Sequence, residues 1–464
     1  MCKNKGKLIS ILGTNDYIKC NYEEFKNCEY IQEALARKHG NNLTNIIIFA
    51  TDEARDINYY ENEYRYGSRK GENKKGLKKR LEEIRDNHDF DFKLKLKIIP
   101  EVNSEKDLWE IFNIIISELD KEDEIYFDVT HGYRYYSLLI MNILNYAKLI
   151  KDINVKKVEY GLFEKLGPAS KVQKMKLENR NAKILDLTTF DYLNDWISGI
   201  DSFISTGEAN KIVELSGKPI GKGIANSIKQ SEDEKEFFEL LSKLGKSLKY
   251  FNNEIKTARG NRINDTLLNI INNLNKLKTF DLEKNSNISP FINLINKIDD
   301  KFKIFDGNDQ TGIKNYFILL KWCKKHGLVH QGLVIVRENF ISLIAQKMDM
   351  PYLPEHNRDN EYNLREIREE INTVINSKIL PEFDIDKRNI DKDKYNQINS
   401  IIEGLDDVEE LLSLIKKFKQ KRNDVSHLGL SDSSSETSQS IIDFFDIETD
   451  NLIRLLKRNN YYLQ

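Results

Sequence analysis

Asp128-Val-Thr-His-Gly-Tyr-Arg134 gathers a carboxylate, a hydroxyl, an imidazole, a phenol and a guanidinium around one glycine, directly after an apolar run. Where a helix opens at such a point, unpaired backbone N–H groups and partial positive charge suit a phosphate. Gly132 lets the backbone approach closely, Thr130 offers a hydroxyl, and Arg134 can fork onto a phosphate. Gly13-Thr-Asn-Asp-Tyr17 occupies the equivalent place after the first apolar run, and Thr51-Asp-Glu53 follows the second. Each loop alone could be no more than a capped turn. Three on one rim weigh more than one. No G-x-G-x-x-G follows the first run, which argues against a dinucleotide fold.

A second constellation, Arg422-Asn-Asp-Val-Ser-His427, closes a long helical window. On a continuing helix Asn423 and His427 are i,i+4 neighbours, with Arg422 one step round. Histidine moves protons at neutral pH, and arginine stabilises charge developing on a phosphorane. Lys416, Lys417, Lys419 and Lys421 join Arg422 in a dense basic run. The plain alternative is a solvated helix end whose cations answer the macrodipole. Two look-alikes fail. His326 and His330 are separated by Gly327 and lack a carboxylate, so they read as a helix-to-helix turn rather than a metal site. Ser216-Gly-Lys-Pro-Ile-Gly-Lys222 has three residues between its glycines where a P-loop has four, with Gly223 in place of the magnesium-binding Ser or Thr.

Positioning these groups needs a scaffold. Strand patterns at Lys7–Leu12, Thr44–Ala50, Lys93–Ile99, Glu124–Val129, Val155–Phe163 and Lys183–Leu187 alternate with helical patterns at Tyr22–Lys38, Gly76–Asn87, from Ser104 (Asp107 at the capping-box position) and at Tyr133–Ile150. That alternation predicts an α/β domain with a mainly parallel sheet, whose ligands sit outside the carboxyl ends of the strands. From about Phe190 the windows are helical: Tyr192–Ser205, Glu234–Ile255, Asp265–Lys278, Pro290–Lys303, Asn315–Lys325, Leu328–Gln346, Tyr395–Gln420 and Ile441–Lys457. Glu355–Glu361 and Asp384–Lys394 read as charged connections, and Ser431–Ser440 as a low-complexity loop.

The chain has 464 residues with 72 Lys+Arg against 74 Asp+Glu, a net charge of -2. Bulk charge therefore cannot hold a nucleic acid, and any binding rests on a local basic patch. Cys2, Cys20, Cys28 and Cys323 are too scattered for a disulfide framework and read as free thiols in a reducing cytosol. The run Leu8–Leu12 is too short for a secretory signal, and Tyr135–Ile150 is broken by Asn142, Asn145 and Lys148. A soluble, cytoplasmic protein without a membrane partner is expected.

Asp128-Val-Thr130-His131-Gly132 is similar to the DxTHG motif of CRISPR-associated proteins, and Gly13-Thr-Asn resembles the opening of the same family. Arg422-Asn-Asp-Val-Ser-His427 looks like the RxxxxH motif of HEPN ribonucleases. The chain thus resembles stand-alone type III ribonucleases that join a Rossmann-like CARF sensor to an all-α HEPN effector. The resemblance implies a CARF domain over residues 1–188, a helical connector over 189–310 and a HEPN domain over 311–464. It also implies a homodimer or higher homo-oligomer binding cyclic tetra-adenylate, with cyclic hexa-adenylate the alternative, and cleaving single-stranded RNA. Gly13, Thr14, Asn15, Asp16, Tyr17, Thr51, Asp128, Thr130, His131, Gly132, Tyr133 and Arg134 would form the ligand site. Arg422, Asn423 and His427 would be catalytic, without metal or other cofactor, giving 2′,3′-cyclic phosphate and 5′-hydroxyl ends. Arg337-Glu-Asn339 resembles the polar stretch of another HEPN helix. Two rivals remain: a ring nuclease that degrades its own cyclic ligand, and a ligand-responsive regulator. For the latter no helix-turn-helix is found, and stable DNA binding is not expected.

Overall fold

The computed structural model describes residues 6–65, 70–217, 232–260, 262–280, 289–309, 312–350, 363–380, 382–385, 390–427, 430, 436–459 and 461. The described chain divides into two compact units, one reaching to Asp195 and the other built from Trp196 onward.

In the first unit the strands are Gly6–Leu12 (β1), Cys20–Tyr22 (β2), Phe25–Cys28 (β3), Leu43–Ala50 (β4), Asn62–Glu63 (β5), Asn73–Lys74 (β6), Lys93–Ile98 (β7), Glu124–Asp128 (β8), Asn154–Gly161 (β9), Asn181–Ala182 (β10) and Ile184–Asp186 (β11). The helices are Ile31–His39 (α1), Asp52–Ala54 (α2), Leu77–Asn87 (α3), Glu105–Ser117 (α4), Arg134–Lys151 (α5) and Ala169–Val172 (α6). The main sheet runs β11-β9-β8-β1-β4-β7, parallel except for β11 at its edge. Period-two side chains split the core between its faces. Leu8, Leu12, Ile46 and Ile48 pack with α1 and α3 on one face, while Ile9, Ile11, Ile47 and Phe49 pack with α4 and α5 on the other. β1 lies between β4 and β8, so the loops after these three strands emerge side by side. The expected capping box of α4 is present, with Ser104 and Asp107 as its members.

One expected helix is corrected. Of Tyr22–Lys38 only the end is helical, as α1, because Cys20–Cys28 forms the β2–β3 hairpin. Glu23 turns it with φ 55°, and β2 pairs with β10 far along the chain. Non-local ladder bonds override the local helical pattern there.

The second unit is helical: Thr188–Thr206 (α7, which begins in the first unit), Asn210–Gly217 (α8), Glu232–Lys256 (α9), Ile263–Leu277 (α10), Ser289–Phe302 (α11), Ile313–Lys325 (α12), Val329–Lys347 (α13), Leu364–Ile379 (α14), Lys392–Glu403 (α15), Val408–Ser426 (α16) and Ser438–Arg458 (α17). α8 and α14 lie outside the helical windows expected from the sequence. The window Tyr395–Gln420 is two helices, because Gly404 caps α15 and Asp407 takes the left-handed conformation (φ 51°) before α16. The Glu355–Glu361 connection lies outside the described residues, as do 386–389 of Asp384–Lys394, 431–435 of Ser431–Ser440 and Cys2. Cys20, Cys28 and Cys323 are buried free thiols. Among the described residues no helix is long and apolar enough to cross a membrane.

Candidate functional site

Gly13, Thr14, Asn15 and Tyr17 after β1, Thr51 after β4, and Thr130, His131, Gly132 and Tyr133 after β8 line one cavity of about 240 Å³. Ile11, Leu12, Ala54, Ile99 and Tyr136 complete its wall. Gly132 has φ 109°, and a Cβ there would press on the Tyr136 ring, so only glycine suits the turn. The His131 ring packs on Tyr17 with centroids 4.5 Å apart, and its Nε2 is buried without a partner among the described residues. Burial pushes its pKa down to about 4, so the imidazole is neutral at pH 7. Tyr17 is itself held by the Gly13 N–H, which donates to its hydroxyl at 2.9 Å. Tyr133 is 61% exposed and stacks on Tyr135 at 5.5 Å.

Asp16 and Asp128 do not line this cavity. Asp128 is buried behind it: Oδ2 accepts from Ser10 Oγ at 2.6 Å, and Oδ1 accepts from the Thr130 N–H at 2.9 Å. Ser10 Oγ in turn accepts from Gln32 Nε2 at 2.7 Å, and Thr130 Oγ1 accepts from the Gly161 N–H at 2.8 Å. Asp128 therefore braces the loop from behind. Burial pushes its carboxyl up to about 6 against the pull of Ser10 and Thr130. Asp16 accepts from the Arg65 N–H at 2.9 Å and pairs with buried Lys74 at 3.2 Å. Arg134 opens α5, but its side chain lies outside the described residues.

The anchors of the β1 loop escape a reading of the sequence. Asn58 Nδ2 donates to the Gly13 and Asn15 carbonyls at 2.8 and 2.9 Å, Lys74 bonds Asn58 Oδ1, and Arg65 reaches the Thr14 carbonyl. A buried lysine on a two-residue strand carries no local signal. It is legible only once Asp16 and Asn58 stand beside it.

In the second unit, Arg422 and Asn423 lie on the last turns of α16, and His427 is its C-cap. The helix ends at Ser426, yet the His427 N–H still donates to the Asn423 carbonyl at 3.1 Å, so the i,i+4 relation holds. His427 is exposed. Arg422 Nη2 donates to Asn423 Oδ1 at 2.5 Å, while its Nε is buried without a partner among the described residues. Burial, then the charge of Arg337, lowers the Arg422 pKa, with Glu338 opposing. The basic run is partly neutralised within the unit: Lys417 pairs with Glu448 at 2.8 Å and Lys421 with Glu436. Asn339 faces a separate cavity of about 430 Å³ between α9, α12, α13 and α14.

Residues 7–165 match the family model described as CRISPR system endoribonuclease Csx1, CARF domain. CRISPR-associated protein MJ1674 of Methanocaldococcus jannaschii is 27% identical over 175 residues, covering 34% of this chain. The match spans only 26% of that relative's length. Among solved structures, Enterococcus italicus Csm6 bound to cyclic hexa-2′-fluoro-hexa-dAMP aligns with a TM-score of 0.43 and 12% identity, over 99% of this chain and 96% of that one.

Proposed function

We propose, proceeding from the CARF domain that this CRISPR-associated chain carries over residues 7–165, that it is an endoribonuclease switched on by a cyclic oligoadenylate. The observation that carries the reading is the cavity itself. Three loops meet over one helix amino terminus, and the neutral His131 lines the space between them. Backbone N–H groups and Thr hydroxyls suit phosphodiesters, and exposed Tyr133 offers a stacking face for adenine. A symmetric ring fits a two-fold pocket to which each protomer gives the same loops. Cyclic tetra-adenylate is the preferred activator and cyclic hexa-adenylate the alternative. Sensor, connector and HEPN effector correspond to residues 1–188, 189–310 and 311–464.

The effector cuts single-stranded RNA in a homodimer. The ribose 2′-hydroxyl attacks the adjacent phosphorus, leaving a 2′,3′-cyclic phosphate and a 5′-hydroxyl. His427 handles proton transfer, Arg422 meets the charge growing on the phosphoryl oxygens, and Asn423 holds Arg422 in place through their 2.5 Å hydrogen bond. The activator switches the site only by binding the active arrangement more tightly than the inactive one.

The test is a quenched fluorescent RNA in excess EDTA, with protein alone or with cyclic tri-, tetra- or hexa-adenylate. Cleavage with one ring, abolished in Arg422→Ala and His427→Ala, is expected. Ring binding without cleavage would overturn the ribonuclease reading. Thr14, Thr130 and His131 all line the cavity, which supports a second activity, slow cleavage of the ring. That activity would survive in Arg422→Ala.

A further inference from the structure

Arg422 of the RxxxxH motif and two further cations, from two helices, gather without a full set of counter-charges among the described residues. Lys419 and Arg422 lie i,i+3 on α16 and so share a face, where like charges ordinarily repel. Arg337 of α13 lines the same crevice as Lys419. Burial, then Arg337 and Arg422, lowers the pKa of Lys419, a sign that the three charges feel one another. Their supports are largely neutral. Asn372 and Asn376, one turn apart on α14, accept from Arg337 Nε at 3.4 Å and from Lys419 Nζ at 2.7 Å. An amide oxygen orients a cation and leaves its charge in place, whereas a carboxylate would cancel it. Glu338 answers part of the charge, bonding Arg337 at 3.2 Å, but it also serves Arg368 at 2.7 Å. Lys417 and Lys421, on the same helix, are by contrast paired with glutamates.

We infer that Arg337 and Lys419, beside Arg422 at the scissile phosphate, form a seat for the phosphodiesters flanking the scissile bond of a single-stranded RNA. The inference rests on the ribonuclease reading and extends it to two residues outside the motif. A chain of net charge -2 must hold RNA through such a local cluster. Arg337, 34% exposed, keeps guanidinium N–H groups that an arriving phosphate can meet. Repulsion among the three cations is relieved by the same event, so the energy of gathering them is returned on RNA binding.

The test uses the full chain with its activating ring and a fluorescein-labelled, fully 2′-O-methylated RNA, which cannot be cut. Anisotropy is followed as salt rises, for wild type, Arg337→Gln, Lys419→Gln and the charge-conserving Arg337→Lys and Lys419→Arg. Each glutamine variant should weaken binding and flatten the slope of log affinity against log salt by roughly 0.7, one single-strand phosphate contact. With cleavable RNA, its KM should rise more than its kcat falls. The charge-conserving variants should keep the slope and, with unchanged thermal melts, exclude a folding defect. Unchanged affinity and slope in both glutamine variants, with wild type cleaving normally, overturns the seat alone. A wild type that neither binds nor cleaves RNA overturns the ribonuclease reading, and the seat with it.

Discussion

At the residue scale, Asp128 carries the clearest pH consequence. Its carboxyl is fully enclosed, and two hydrogen bonds do not outweigh the loss of water, so its folded pKa rises to about 6. A raised folded pKa means that stability from this group is complete below the unfolded value near 4 and is lost as pH climbs through about 6. An asparagine side chain at this position would have no such dependence. We therefore expect the stability of Asp128→Asn, relative to wild type, to improve between pH 4 and pH 7 by on the order of 2–3 kcal/mol. Denaturant unfolding at the two pH values measures it, and a flat difference would refute the assignment. His131 titrates with the opposite sign, losing its contribution as pH falls through about 4, but it is common to both proteins and cancels.

Among elements, the packing of α13 is the next to test, because α13 presents Arg337 and Glu338 and meets α12, α14, α16 and α17. Gly332 on α13 faces the Phe445 ring of α17, and a Cβ there would overlap the ring. Gly332→Ala should destabilise the helical unit by about 1–3 kcal/mol, the usual range for overpacking. Thermal or denaturant unfolding would show this, while ring binding by the sensor unit should survive. Equal stability of the two proteins would mean that α17 yields freely and does not hold α13 in place.

For the whole molecule, the proposed assembly is the property to test. α5 leaves a stripe of Leu138, Asn142, Asn145 and Leu149 exposed, with the two leucines 75% and 82% accessible. Exposed apolar side chains along one helix face make it the surface on which to test the proposed self-association. Leu138→Asp with Leu149→Asp should convert the proposed dimer to monomers by light scattering and abolish the proposed RNA cleavage. A dimer of full activity would place the interface elsewhere.

Much of this was open to reading along the chain. Strand and helix alternation to Gly161, the capping box at Ser104 and the helix starting after Gly76 follow from short-range periodicity and capping, which neighbouring residues specify by themselves. So do the positions of the DxTHG turn and of Arg422–His427. The tertiary structure decided what depends on partners distant in sequence. Cys20–Cys28 became a hairpin because β10 offered a ladder, Asp128 moved behind the cavity because Ser10, itself held by Gln32, donates to it there, and Asn58, Arg65 and Lys74 became anchors by meeting the β1 loop. Arg337 reached Lys419 only through the packing of α13 against α16. Burial and pairing energies of this kind belong to contacts, and no local pattern encodes them before the chain closes on itself.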